Sequence, residues 1–283
     1  MQKLSFEDLN DKLAIITGGA GIICKNLAMG LASAGVRTVI LDLDGEAAQS
    51  VAWEISKETH TFSMGVKADV LDKPSLLLAK EFINREAGKI SFLINGAGGN
   101  SPMATTKVEE IIPGEGLNLS DTFFGLDISG FRKVFDLNFL GTVLPTMVFA
   151  TDMLEAQTGA VLNISSLNSF RPLTKIPAYS AAKASVNNFT EWLAVHFAPS
   201  GIRVNAISPG FILTNQNRFL LTDEQTGRLS PRGEKIIRGT PMGRFGEADE
   251  LTGTAAFLLS DLSRFITGIV VTVDGGFNAY SGV

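Results

Sequence analysis

The chain is expected to fold as one α/β domain, a doubly wound parallel sheet of about seven strands with helices on both faces. Three observations predict it. Short runs of aliphatic and β-branched residues recur along the chain, and stretches of helical periodicity separate most of them. A glycine turn, GGAG, joins the first such run to the first helical stretch. No linker-like segment divides the 283 residues, 45% of them hydrophobic, so residues 1–283 can share one core.

Leu13 to Thr17 is the first strand. After the glycine turn, IICKNLAMGLASAG sets Ile23, Leu27 and Leu31 at helical spacing and ends in Gly35, a C-cap residue. Arg37 to Leu41 is the second strand, with Asp42 at its end, and Gly45 to Glu58 is the next helix. Thr61 to Ala68 makes the third strand, helical periodicity returns over Lys73 to Glu86, and Ile90 to Ile94 is the fourth strand. Residues 99–130 form a long, turn-rich insertion. Its Phe123, Phe124, Leu126 and Ile128 are expected to pack, as in a lid or a subunit contact. Phe131 to Leu154 reads as a long helix. Val161 to Ile164 is the fifth strand, and Pro177 suits the first position of a helix that runs to about Ala198. Ile202 to Ile207 is the sixth strand, 211–246 a flap, Ala248 to Leu259 a helix and Ile269 to Val273 the last strand.

Composition narrows the function. A net charge of -5 without a lysine/arginine block argues against nucleic acid or an anionic membrane as partner. The lone Cys24 excludes an internal disulfide, and with His60 and His196 far apart no metal site is expected. The start, MQKLSFEDLNDKL, has no apolar signal region, and no uninterrupted apolar span of membrane length is evident, so a cytoplasmic location is expected.

The fifth strand delivers Ser165 and Ser166 at its carboxyl end, where open α/β sheets bind ligands. Tyr179 and Lys183 follow at i and i+4 on one helix face. A nearby ammonium favours phenolate, which would let a tyrosine move protons near neutral pH. Lys183 is then the tuner and Tyr179 the proton carrier, with the Ser166 hydroxyl holding a substrate oxygen in line for hydride transfer. The glycine turn presents the backbone of Gly18, Ala20, Gly21, Ile22 and Ile23 at a helix N-terminus, a place suited to a pyrophosphate. A carboxylate at Asp42 can accept from ribose hydroxyls and repels a 2′-phosphate, and Asp44 adds the same sign. NAD is therefore expected, with NADP open if Arg37 or Lys25 reaches round to the phosphate.

With these residues the chain resembles the classical short-chain dehydrogenase/reductase family from about Leu13 to Asp274. The resemblance implies a Rossmann fold and hydride transfer between a nicotinamide and a carbinol or carbonyl. The family's Thr-Gly-x-x-x-Gly-x-Gly keeps Thr17 and Gly18 here, but Ile22 and Cys24 replace the later glycines. Gly19, Ala20 and Gly21 stay small, so the close approach to the cofactor is expected to shift by one residue and binding to survive. Asn95-Gly96-Ala97-Gly98 stands for Asn-Asn-Ala-Gly, a change at Gly96 expected to matter little. By resemblance, Asp69 and Val70 meet the adenine, while Asn95, Ala97 and Gly98 support the sheet and line the nicotinamide side. Asn138, in Asn-x-x-Gly, holds a water that connects Lys183 to solvent, and Lys183 also holds the nicotinamide ribose. Pro209, Gly210, Ile212 and Thr214 match the segment that meets the carboxamide, and a dimer or tetramer is implied.

Within the family, TGGAGIIC, NGAGGNSPMATT, ISSLNSFRPLTKIPAYSAAK, PGFILTNQNRFLLTD and VDGGFNAYSGV are similar to the branch of D-mannonate oxidoreductases, also called fructuronate reductases. A hexonate needs a cation and several amides. Arg171, Lys175, Asn168, Asn100 and Arg218, the last beside Asn215, Gln216 and Asn217, are the candidates, and an arginine fork matches a carboxylate. Another hexonate such as gluconate, or a nucleotide-sensing protein without turnover, are the alternative readings.

Overall fold

Strands β1 (Leu13–Thr17), β2 (Arg37–Asp42), β3 (Ser63–Lys67), β4 (Phe92–Asn95), β5 (Gly159–Ile164), β6 (Ile202–Pro209) and β7 (Val270–Val273) form one sheet. Its order is β3-β2-β1-β4-β5-β6-β7, with every pairing parallel. This computed structural model describes residues 4–112, 114, 116, 118–214, 218–223 and 228–282. The helices, in chain order, are α1 (Ile22–Ser33), α2 (Gly45–Thr59), α3 (Lys73–Glu86), α4 (Ile128–Phe135), α5 (Gly141–Ala156), α6 (Pro177–Phe197), α7 (Arg218–Leu221), α8 (Pro231–Arg238) and α9 (Thr252–Leu259).

Strand periodicity of two divides the core into two layers. Ala14 and Ile16 of β1 face one layer, where Leu27 and Leu31 of α1, Ile55 of α2 and Leu258 of α9 pack. Leu13 and Ile15 face the other, with Ile83 of α3, Phe149 of α5 and Leu193 of α6. All five positions of β1 are buried, as a parallel strand covered on both faces requires. The strand order reverses direction between β1 and β4, so the carboxyl ends of these two strands open the crevice that doubly wound sheets use for ligands.

Two expectations change. The helix read over Phe131 to Leu154 is α4 and α5 joined by a π-helical segment, Asp136–Leu140, which carries Asn138. Widened turns of this kind are common at functional sites. The stretch Ile128–Ala156 is long and apolar enough to cross a membrane, but half of its most apolar window is buried, as befits a core helix. The second change is in the insertion. Phe123, Phe124 and Ile128 do not pack into the core of their own chain; they are exposed, as residues of a subunit contact would also be, and the two phenylalanine rings meet edge to face. The insertion is anchored by polar contacts instead. Thr106 N donates to the Lys175 carbonyl (3.0 Å), Lys107 pairs with Asp121 (2.6 Å), and Lys235 of α8 pairs with Glu109 (2.5 Å).

Candidate active site

Ser166 leaves the end of β5 in extended conformation, and its hydroxyl accepts from Asn168 N at 3.3 Å. Pro177 opens α6 and places Tyr179 in the first turn, half-buried, with the Ser166 side chain near enough to act on its phenol. One turn on, Lys183 is 3% exposed. Its ammonium donates to the Ile164 carbonyl at 2.7 Å and lies 5.8 Å from the centre of the Tyr179 ring. Burial pushes the Lys183 pKa down to about 8. Burial also raises the Tyr179 phenol above its usual value, and the nearby Ser166 side chain only partly offsets this. The expected lowering of the tyrosine by Lys183 is therefore not what the structure shows. The ammonium is aimed at a main-chain carbonyl, and desolvation of the phenol wins.

Asn138 is fully buried, its amide donating to the carbonyls of Gly99 and Val134 (both 2.7 Å) and its Oδ1 accepting from Gly99 N (3.2 Å). A Cβ on Gly98 would stand 2.6 Å from Asn138 Oδ1 and 3.3 Å from Lys183 Nζ. Glycine at 98 thus lets the asparagine and the lysine approach one stretch of backbone from two sides. Three supports gave no signal in the sequence. Ser165 donates to Asn187 Oδ1 (2.5 Å), Asn187 donates to Ser169 (2.8 Å), and Ser169 donates to the Ser166 carbonyl (2.6 Å). This buried chain clamps the Ser166 turn onto α6, and nothing but the fold brings Ser165 and Asn187 together.

A cleft of about 790 Å³ lies at the carboxyl ends of β1, β2 and β4. Gly18, Gly21, Ile22 and Ile23 line one wall, and Asp42, Asp69 and Val70 its outer end. Ala97 and Gly98, then Gly210, Ile212 and Thr214, line the inner side. Cys24, Leu43, Gly96, Leu137 and Phe211 also line it and were missed from the sequence. Ala20 acts from behind, its N–H donating to Asp42 Oδ2 at 3.1 Å. Asn95 donates to Thr146 and to Asn163, both at 2.9 Å, and so ties β4 to α5 and β5 rather than lining the cleft. Pro209 ends β6, and Gly210 N donates to the Val273 carbonyl (2.9 Å).

The residues fit a dinucleotide. Gly18 has φ +61°, and a Cβ there would stand 2.7 Å from Ala97 Cα, so the turn is as tight as it can be. Gly21 caps α1 without any side-chain cap, which leaves the first-turn N–H groups for an anion. Asp42 Oδ1 accepts from Asp44 N (3.2 Å), so both oxygens of this carboxylate are fixed at the cleft. Asp44 instead caps α2, accepting from Glu46 N and Ala47 N. Neither cation that could have welcomed a 2′-phosphate reaches the cleft. Lys25 pairs with Glu54 (2.7 Å), while Arg37 pairs with Asp11 (3.6 Å) and lies over the Phe62 ring.

The five substrate candidates fare unequally. Asn168 is 4% exposed, and its Oδ1 is buried without a hydrogen-bond partner. Asn100 donates to Thr105 Oγ1 (2.9 Å) within the insertion. Lys175 gives its ammonium to the Lys107 carbonyl (2.7 Å), a strut between the Ser166–Tyr179 loop and the insertion. Arg171 Nε donates to the carbonyl and side chain of Asn278 (2.9 and 3.2 Å), pinning the C-terminal segment to the same loop. Arg218 opens the short α7, exposed. Asn215, Gln216 and Asn217 lie outside the described residues.

Residues 19–278 match the family model described as enoyl-(acyl carrier protein) reductase. An oxidoreductase of Bacillus subtilis named UxuB, uncharacterized, is 50% identical over 279 residues, 98% of each chain. A crystal structure from Haemophilus influenza, provisionally described as D-mannonate oxidoreductase and holding NAD, has 50% identity and a TM-score of 0.92 over 98% of each chain. A gluconate 5-dehydrogenase from Burkholderia cenocepacia, in complex with NADP and tartrate, is 28% identical with a TM-score of 0.82 over 98% of this chain and 99% of its own. With likeness of this extent in sequence and in fold, the chain belongs to the short-chain dehydrogenase/reductase family of NAD(P)-dependent oxidoreductases.

Proposed function

We propose that the protein uses NAD to interconvert a sugar acid and its keto form, D-mannonate and D-fructuronate. The observation that carries the reaction is the Tyr179 phenol set beside Ser166 one turn before the buried Lys183. The likeness to the D-mannonate structure supports the substrate, and the fixed Asp42 with Lys25 and Arg37 engaged elsewhere supports NAD over NADP. A nicotinamide held in the cleft would take up or return the hydride at C5. Ser166 and Tyr179 hold the C5 oxygen. In oxidation the Tyr179 phenolate accepts the hydroxyl proton; in reduction the phenol gives a proton to the oxygen of the former carbonyl. Because burial favours the neutral phenol, oxidation should speed up as pH rises, whereas reduction should slow. Asn138 and Lys183, meeting at Gly98, lead the proton outward.

The same reading makes the protein a cytoplasmic homodimer or homotetramer acting on small molecules, not on nucleic acid or membrane. Net charge of -5 supports the last point. The exposed apolar face of α5 and α6 supports self-association: Met147, Leu154, Trp192 and Val195 are all more than half exposed, and the Phe189, Trp192 and His196 rings stack along α6. Oxidation of D-mannonate, D-gluconate and other hexonates with NAD and with NADP, followed by absorbance of reduced nicotinamide, tests the proposal. NAD-linked turnover of D-mannonate above the others is expected. Preference for D-gluconate, the reading favoured by the gluconate 5-dehydrogenase likeness, would keep the mechanism and replace the substrate. NAD binding without turnover of any hexonate would favour a nucleotide sensor.

A further inference from the structure

The glycine turn after β1 and the Asn95–Gly98 turn after β4 press directly against each other. Thr17 Oγ1 accepts from Gly96 N (3.1 Å) and Ala97 N (3.3 Å), and Gly18 abuts Ala97. Beside this seam, in the first turn of α1, Cys24 is 4% exposed. A Cβ on Gly96 would stand 2.1 Å from Cys24 Sγ and 2.9 Å from the Thr17 carbonyl oxygen. The thiol therefore occupies the space that any side chain at 96 would need. The thiol makes by far the deeper overlap and is packed into the core with Ile16, Leu27 and Ile94, whereas the Thr17 carbonyl contact is marginal and needs only a slight shift once the thiol is gone.

The third glycine of a dinucleotide turn serves close packing of the helix on the sheet. In this chain Cys24 stands at that place, and the hole lies on the sheet side, at Gly96. We infer that Cys24 and Gly96 form one bump-and-hole joint that sets how closely the N-terminus of α1 approaches the turn after β4, and hence the width of the dinucleotide cleft. The two departures from the family pattern are then one compensated exchange. Gly96 is a requirement, not the indifferent substitution expected from sequence. Cys24 is a positioning residue; its buried thiol does no chemistry. This inference rests on the cleft being a dinucleotide site.

The test is a double-mutant cycle read by calorimetric NAD affinity and by thermal midpoint, without any substrate. Gly96→Ala should weaken NAD binding on the order of tenfold or more, because an added methyl group has no space. Adding Cys24→Ala should restore affinity to within about threefold of the wild type, a coupling that independent sites would not show. The exchange toward the family residues should behave alike, with Cys24→Gly rescuing Gly96→Asn. A Gly96→Ala protein that binds NAD as tightly as the wild type, or a double variant as weak as the single one, would overturn the joint. Should Gly96→Ala fail to fold, a soluble double variant with near-wild-type affinity supports the joint, and an insoluble one contradicts it. Failure of the wild type itself to bind NAD would instead sink the cofactor reading, while the midpoints of the cycle would still report the joint.

Discussion

Lys175 and Lys183 stand four residues before and after Tyr179, and each donates to a main-chain carbonyl at 2.7 Å. Their bonds are alike and their surroundings are not. Lys183 is sealed between α6 and the end of β5, and the loss of water alone moves its pKa down to about 8. Lys175 sits half-buried at the rim and holds the insertion by the Lys107 carbonyl. Residue type and spacing from the tyrosine do not separate a lysine that can exchange protons from one that braces a wall. Desolvation does. The same contrast runs through the site: the inner groups Ser165, Asn187 and Asn138 are buried and bonded, whereas the rim groups Arg171, Lys175 and Asn100 use backbone or neighbouring loops from solvent-facing positions.

The sharpest way to break the comparison is to make both lysines apolar. Lys183→Met should lower turnover by about a hundredfold or more, the usual scale of lost acid/base assistance. It should also raise the thermal midpoint. Burying an ammonium whose pKa falls from 10.5 to about 8 costs about 3 kcal/mol below pH 8. Between pH 8 and 10.5 the unfolded lysine keeps a proton that the folded one has lost, so wild-type stability rises with pH there. The stability gap between Lys183→Met and wild type should shrink across that window in thermal melts. An unchanged gap would mean that burial does not set this pKa.

Asp42→Ala tests the outer end of the cleft. Losing a carboxylate that also fixes the glycine turn through Ala20 N should raise the NAD dissociation constant about tenfold and narrow the preference over NADP. Asn187→Ala leaves the reacting groups in place but cuts the chain that steadies Ser166, and about a tenfold fall in kcat with little change in NAD affinity is expected. Lys175→Met should be mildest, with kcat within about threefold of wild type because a rim contact to solvent-facing backbone contributes little. If it matched Lys183→Met in kcat, position relative to the tyrosine rather than burial would be what matters.

The inner strands were legible because a parallel strand covered on both faces reads as a mainly apolar run; Val161 to Ile164 and Ile202 to Ile207 lie within β5 and β6, both almost wholly buried, whereas the edge strands β3 and β7 are only partly buried. The reacting residues were legible because Tyr179 and Lys183 share one helix, and helical spacing is local. What escaped was non-local. Ser165 and Asn187 lie on different elements, and the clash of a Gly96 side chain with Cys24 exists only once β4 lies beside α1. The insertion was legible only in part: Phe123 and Phe124 have core composition but lie outside the core of this chain, on a segment tied down by pairs such as Lys235 to Glu109. The rise in the Tyr179 pKa was likewise invisible, because spacing shows a nearby cation and not the depth of burial.

The central claim is that Tyr179 carries the proton for nicotinamide-linked oxidation of a sugar acid. Its most direct test is Tyr179→Phe, assayed for single-turnover reduction of NAD by D-mannonate after calorimetry has shown the variant binds NAD. The account predicts unchanged NAD affinity and a chemical step slowed by about a hundredfold to ten-thousandfold. Near-wild-type chemistry in the phenylalanine variant would contradict it.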